Sequence, residues 1–195
     1  MIVPAGAAAL RRQWLLLAVL FALLAIPLSI AARGPGVLPG DVAIARAVQA
    51  PQWPWLDPLA QALTTLGRAW PGETPFAVVA VFLIACFGAR RDAVFVAVAA
   101  LAGAINVETK LIVASPRPTA PLVTIVEVAS GNGFPSGHAF GATLFYGAIW
   151  IVLPAVVPQP VACRLLRIAA VVVALGICWS RIRLGAHWPS DVLGG

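Results

Sequence analysis

Residues 14–32 read W-L-L-L-A-V-L-F-A-L-L-A-I-P-L-S-I-A-A, without a single charge. A helix that crosses a bilayer needs about 20 mostly apolar residues, and this stretch supplies them. Arg11 and Arg12 precede it, as they would a signal peptide. The apolar stretch is too long for a signal-peptide core, and Pro27 and Arg33 make a poor cleavage site, so it is read as a retained first span with a possible kink at Pro27.

Working outward, four more spans are expected, at 75–88, 93 to about 114, 138 to about 157, and 165–180. Between the first and second lies a polar gap, 33–73, with Gly34, Pro35, Gly36, Pro39 and Gly40 near its start. Two short helices fit there. Asp41 can cap one running to about Gln49, and Asp57-Pro58 signals the start of another. In the second, Leu56, Leu59, Leu63 and Leu66 recur at helical spacing, with Trp53, Trp55 and Trp70 nearby. That pattern predicts an amphipathic helix lying in the membrane interface.

Composition agrees. Apolar residues make up 61% of the chain and charged residues 10%, and the mean hydropathy is +0.95. A soluble domain needs more charge to cover its surface. The expected fold is therefore an all-α transmembrane bundle, built as one domain over 1–195. The net charge of +6 falls in small groups between apolar runs. It forms no basic stripe, so a nucleic-acid partner is not expected. No obligate protein partner is evident, and the bilayer is the expected surroundings. Cys86, Cys163 and Cys178 lack the spacing of a disulfide framework or zinc site and read as small apolar residues.

Positive charge in short loops sets orientation. Arg11 and Arg12, Arg90 and Arg91, and Arg164 and Arg167 alternate to one side, which is expected to be the cytoplasm. The segments 33–73, 115–137 and beyond Ser180 then share the outer face, with Trp179 and Trp188 at that interface. The other cations break this pattern. Lys110, Arg117, Arg181 and Arg183 fall at the outer ends of spans three and five, level with His138, His187 and Asp191. Ionisable groups at membrane depth are costly and usually functional.

So many cations imply an anionic ligand. Arginine offers a planar fork for phosphate oxygens, and lysine a point charge. In Pro135-Ser136-Gly137-His138, Ser136 can cap span four and leave first-turn N–H groups facing an anion, with Gly137 permitting close approach. His187 and Asp191 are four apart, so on a helix they share a face. A carboxylate on one imidazole nitrogen fixes the tautomer and leaves the other free to attack phosphorus. His138 then suits the proton donor to the leaving oxygen and, afterwards, the base for water. No carboxylate cluster or His/Cys set offers itself to a metal, and no cofactor is expected. Charge on the phosphoryl group would be balanced by Lys110, Arg117 and Arg181. Glu108 and Arg183 receive no role.

Three runs carry a family resemblance: K-L-I-V-A-S-P-R-P at 110–118, P-S-G-H at 135–138, and S-R-I-R-L-G-A-H-W-P-S-D at 180–191. Together they resemble the signature of the type-2 phosphatidic acid phosphatase superfamily, KX6RP, PSGH and SRX5HX3D, at every fixed position. The resemblance covers 110–191; residues 1–109 match by topology alone. It implies a metal-independent phosphatase of six spans with an outward-facing site. Lys110, Arg117 and Arg181 would bind phosphate with help from Ser136 and Gly137. His138 would be the general acid, His187 the nucleophile and Asp191 its partner. The family's sixth span would begin at 191–195, so the chain is expected to be cut short after Gly195.

The expected reaction is hydrolysis of lipid phosphate monoesters or pyrophosphates through a phosphohistidine. A polyprenyl pyrophosphate, phosphatidylglycerophosphate and phosphatidic acid are the candidate substrates. The expected location is a bacterial inner membrane, with the site on the periplasmic face. Two rivals stand beside this reading: action on another phosphate ester, including transfer to an acceptor other than water, and an anion carrier or channel. The second is disfavoured because the cations sit at one end of the spans.

Overall fold

The computed structural model describes residues 5–34, 37–67 and 105–195, with isolated positions between 78 and 97. All described secondary structure is helical. The helices are α1 (Ala5–Ala32), α2 (Asp41–Gln49), α3 (Leu56–Leu66), α4 (Ile105–Val113), α5 (Gly137–Val156), α6 (Pro160–Arg183) and α7 (Pro189–Gly194).

Two described helices, α5 and α6, are long and apolar enough to cross a bilayer. At 1.5 Å per residue they reach about 30 and 36 Å, enough for the hydrocarbon core. Ser136 caps α5, accepting from the Ala139 N–H at 3.5 Å. Gln159 caps α6 in the same way, with Pro160 at its first position, where a missing N–H costs nothing. The short 157–159 turn makes the pair an αα-hairpin. Its outward surface carries Val161, Leu165, Ile168, Val172 and Leu175, all exposed, while Ser180, Arg181 and Arg183 are buried. Apolar outside and polar inside is the pattern a lipid solvent selects.

The sequence boundaries shift in detail. The first helix begins at Ala5, because alanines favour helix upstream of the apolar run, and it continues through Pro27. Span five gains a turn at each end, from its cap at Gln159 to Arg183. Expected spans two and three lie mostly outside the described residues. Within them α4 is helical, and Ala93 and Val96 are buried against Phe145, Ala148 and Val152 of α5.

Three local expectations are corrected. Asp41 does not cap α2: Gly40 precedes that helix at φ 92, and the buried Asp41 carboxylate turns instead to Ser190. Trp188 is not at an interface; it is buried with Ala45 and Val123. The amphipathic α3 rests on only part of its leucine row. Leu56, Ala60 and Thr64 form its buried face, packed on α6, while Leu59, Trp53 and Trp55 are exposed. Small residues allow that close approach: a Cβ on Gly176 would meet Leu63 at 3.2 Å, and one on Gly67 would meet Ile177 at 2.6 Å. The three cysteines are free thiols.

Candidate active site

The C-terminal end of α6, the loop after it and α7 form the floor. Leu184 N closes on Ser180 O at 2.9 Å, and the N–H groups of Ala186 and His187 both donate to Arg181 O. Gly185 makes the turn at φ +68, with Thr124 O only 2.2 Å from where a Cβ would be, so no other residue fits. His187 thereby turns inward and is 2% exposed.

His187 Nδ1 lies 3.2 Å from Asp191 Oδ2, and the same oxygen accepts the Trp188 N–H at 3.0 Å. Asp191 is fully buried. Gly133 lets it sit there, since a Cβ would lie 2.7 Å from Oδ2. Arg117 Nη1 is 3.2 Å from His187 Nε2 and also donates to Ala186 O at 2.6 Å, while Nε donates to Gly131 O. A guanidinium only donates, so Nε2 is the acceptor and Nδ1 carries the proton toward Asp191. Burial holds the His187 pKa well below its ordinary value, reinforced by Arg117, Arg181, Lys110 and then His138. Burial also lowers the Arg117 pKa, with Arg181 adding to it.

Lys110, near the end of α4, donates to the carbonyls of Asn132 and Gly133 at 3.1 Å each. Asn132 returns a bond from its side-chain amide to Lys110 O at 2.9 Å. This reciprocal clamp fixes the loop that leads into α5. Ser136 is fully buried; its N–H donates to Asp191 O at 2.8 Å and its hydroxyl oxygen accepts the capping bond from Ala139 N–H. Gly137 opens α5, and the first-turn N–H groups of that helix face the same end of the bundle. His138 lies beside Gly67, its Cδ2 3.3 Å from where a Cβ there would be.

Arg181 is 1% exposed. Nη1 donates to Thr64 Oγ1 and to Glu127 Oε2, the latter at 3.0 Å. Loop 115–136 carries Glu127 there through the N–H groups of Val126 and Glu127, which both donate to Leu184 O at 3.0 Å. Arg183 points the other way. Its Nε pairs with Asp57 at 2.7 Å and its Nη1 donates to the carbonyls of Val48, Gln49 and Pro51. It is a clamp between α6 and the α2–α3 connection. Glu108 is exposed on α4.

The structure therefore gathers the sequence candidates at one end of the bundle and adds four that residue type alone did not single out: Asp41, Thr64, Glu127 and Asn132. Gly131-Asn132-Gly133, just before the PSGH run, was the visible signal for the last. Among the described residues, no three His, Cys, Asp or Glu side chains converge as metal ligands would.

A membrane-embedded helical bundle with buried cations around an imidazole–carboxylate pair defines an integral membrane protein that handles an anionic group. Residues 92–195, just over half the chain, match the PAP2 superfamily. The chain belongs to that superfamily and is a phosphatase. Among solved structures it is similar to a transmembrane PAP2-type phosphatidylglycerolphosphate phosphatase from Bacillus subtilis, at 26% identity and a TM-score of 0.76, over 90% of this chain and 87% of that one. A search of curated proteins found no match.

Proposed function

We propose that the protein hydrolyses lipid phosphate monoesters or pyrophosphates through a phosphohistidine at His187. The observation that carries this is the Asp191–His187–Arg117 line: a carboxylate on Nδ1 and a guanidinium on Nε2. A phosphate entering between Arg117 and His187 replaces their mutual contact. Nε2 attacks phosphorus as the bond to the leaving oxygen breaks, and His138 gives that oxygen a proton. His138 then takes a proton from water, whose oxygen attacks phosphorus and breaks the N–P bond. Lys110, Arg117 and Arg181 balance the phosphoryl charge, with Ser136 and Gly137 shaping the start of α5 beside it. Asp191 keeps the Nδ1 proton throughout.

Lipid is the favoured substrate class because the site lies at one end of helices whose outer surface is apolar, and because a phosphatidylglycerolphosphate phosphatase shares the fold. Phosphatidylglycerophosphate, phosphatidic acid and a polyprenyl pyrophosphate remain the panel. Chain 1–195 acts as one domain, with five spans and the start of a sixth at α7. Its basic loops face the cytoplasm of a bacterial inner membrane and its site faces the periplasm. The test is phosphate release from this panel in detergent with chelator present, alongside acid-quench trapping of the phosphoenzyme. His187→Ala is expected to lose both release and the trapped species. Full activity in that variant, or a strict metal requirement, would overturn the mechanism.

A further inference from the structure

A further cavity lies at the opposite end of the bundle. It is a groove of about 610 Å³ between the C-terminal part of α5 and the N-terminal turns of α6. Trp150, Pro154, Arg164, Arg167 and Val171 line it, and no carboxylate does. The Arg167 guanidinium carbon stacks 3.4 Å from the Trp150 ring centroid. Arg167 Nε is sealed from solvent and has no hydrogen-bond partner.

Arg164 and Arg167 are three apart on α6, so they lie on one face of the helix and both line the groove. Stacking on Trp150 holds one guanidinium flat, so that its edge can meet the oxygens of a phosphate. A second, apolar groove of about 370 Å³ continues along the same crevice, sharing Trp150 and Val171 and running past Gly147 and Ala174. No atom lies within 4 Å of where a Cβ on Gly147 would be, so the missing side chain makes this depression. A charged head next to an apolar trough has the chemistry of one ligand.

We propose that this crevice is a binding site for an anionic diacyl phospholipid, its phosphodiester on Arg164 and Arg167 and an acyl chain in the α5–α6 trough. The bound lipid is not a substrate. Arg167 and Arg181 are 14 residues apart on one helix, about 21 Å, so the head group cannot reach His187. Its effect is to tie α5 to α6 at the end away from the chemistry. The proposal rests on membrane embedding and not on the phosphohistidine mechanism.

The test is the unfolding midpoint of the detergent-solubilised chain with added dioleoylphosphatidylglycerol, dioleoylphosphatidylcholine or inorganic phosphate. The anionic lipid is expected to raise the midpoint by roughly 5 °C more than the zwitterionic one at saturation, whereas inorganic phosphate, which reaches the catalytic cations, should shift Arg164→Gln/Arg167→Gln as much as the unaltered chain. Arg167→Lys keeps the charge, and with it the membrane topology, but loses the planar stack; at least half of the difference should disappear. Arg164→Gln/Arg167→Gln should remove it. His187→Ala should retain it, which separates this site from the catalytic one. Equal shifts from both lipids, a phosphate shift that the double arginine variant loses, or an undiminished difference in both arginine variants would overturn the proposal.

Discussion

Asp41 holds Ser190 twice, accepting its N–H at 2.8 Å and its hydroxyl at 2.7 Å across 149 positions of sequence. Ser190 immediately precedes Asp191, so a carboxylate on α2 sets the aim of α7 and, through it, the orientation of His187. Buried hydrogen bonds to a charged group contribute about 1.5–3 kcal/mol each. Asp41→Ala is therefore expected to lower kcat by roughly 10- to 100-fold with little change in KM, since small misplacements of a nucleophile are costly. Asp41→Asn, which can still accept from Ser190, should lie between. Steady-state kinetics with a lipid phosphate checks this, and an unaltered kcat in the alanine variant would show that α7 is held by other contacts.

Burial and the surrounding cations hold His187 neutral well below the ordinary histidine range. The acid limb of kcat/KM that reports this group should lie below the unperturbed value of about 6.5. A bound phosphate offsets the cations, so the His187 resonance in a nuclear magnetic resonance titration should shift upward in pKa when phosphate is added. Linkage has the same origin. Because the folded pKa is depressed, the unfolded chain takes the proton first, and stability is lost as pH falls from about 6.5 toward the folded value. A His187 that titrates at or above 6.5 in the free protein would contradict this.

Glu127 occupies the guanidinium edge of Arg181 at 3.0 Å, where a phosphate oxygen would compete. Glu127→Gln is expected to lower KM by roughly threefold with kcat little changed, because a rival anion has been removed. Without ligand the same variant should unfold at a lower temperature, since Arg181 is left buried without its counter-charge. Added phosphate should restore much of the difference. A rise in KM would show that Glu127 positions Arg181 for the substrate.

Arg183 belongs to the SRX5HX3D run by place only. Its contacts are with Asp57 and three carbonyls at the end of α2 and just after it. Arg183→Ala leaves three carbonyls and the half-exposed Asp57 without their donor and should cost roughly 1–3 kcal/mol of stability. Activity per folded molecule should fall far less than in Arg181→Ala. Thermal unfolding and specific activity on the same preparation distinguish the two arginines.

Residue type and spacing were enough for the membrane class, the long helices at 138–157 and 165–180, the Ser136 cap, and the gathering of Lys110, Arg117, His138, Arg181, His187 and Asp191 at one end of the bundle. Apolar run length and motif spacing are local properties, and lipid as solvent leaves few alternatives to helix. The resemblance carried by three short motifs pointed to the superfamily to which the chain belongs. What the sequence could not reveal was which polar groups meet across long separations. Asp41 looked like a helix cap, Trp188 like an interface anchor, and Arg183 had no assigned role, because each reading used only neighbours in the chain. Their true partners, Ser190, Ala45 and Asp57, are selected by tertiary packing: a buried polar group takes whichever partner the fold brings within reach. The helices and the candidate residues were thus written locally, while the division of the cations into those around His187 and those clamping the bundle was decided by the fold.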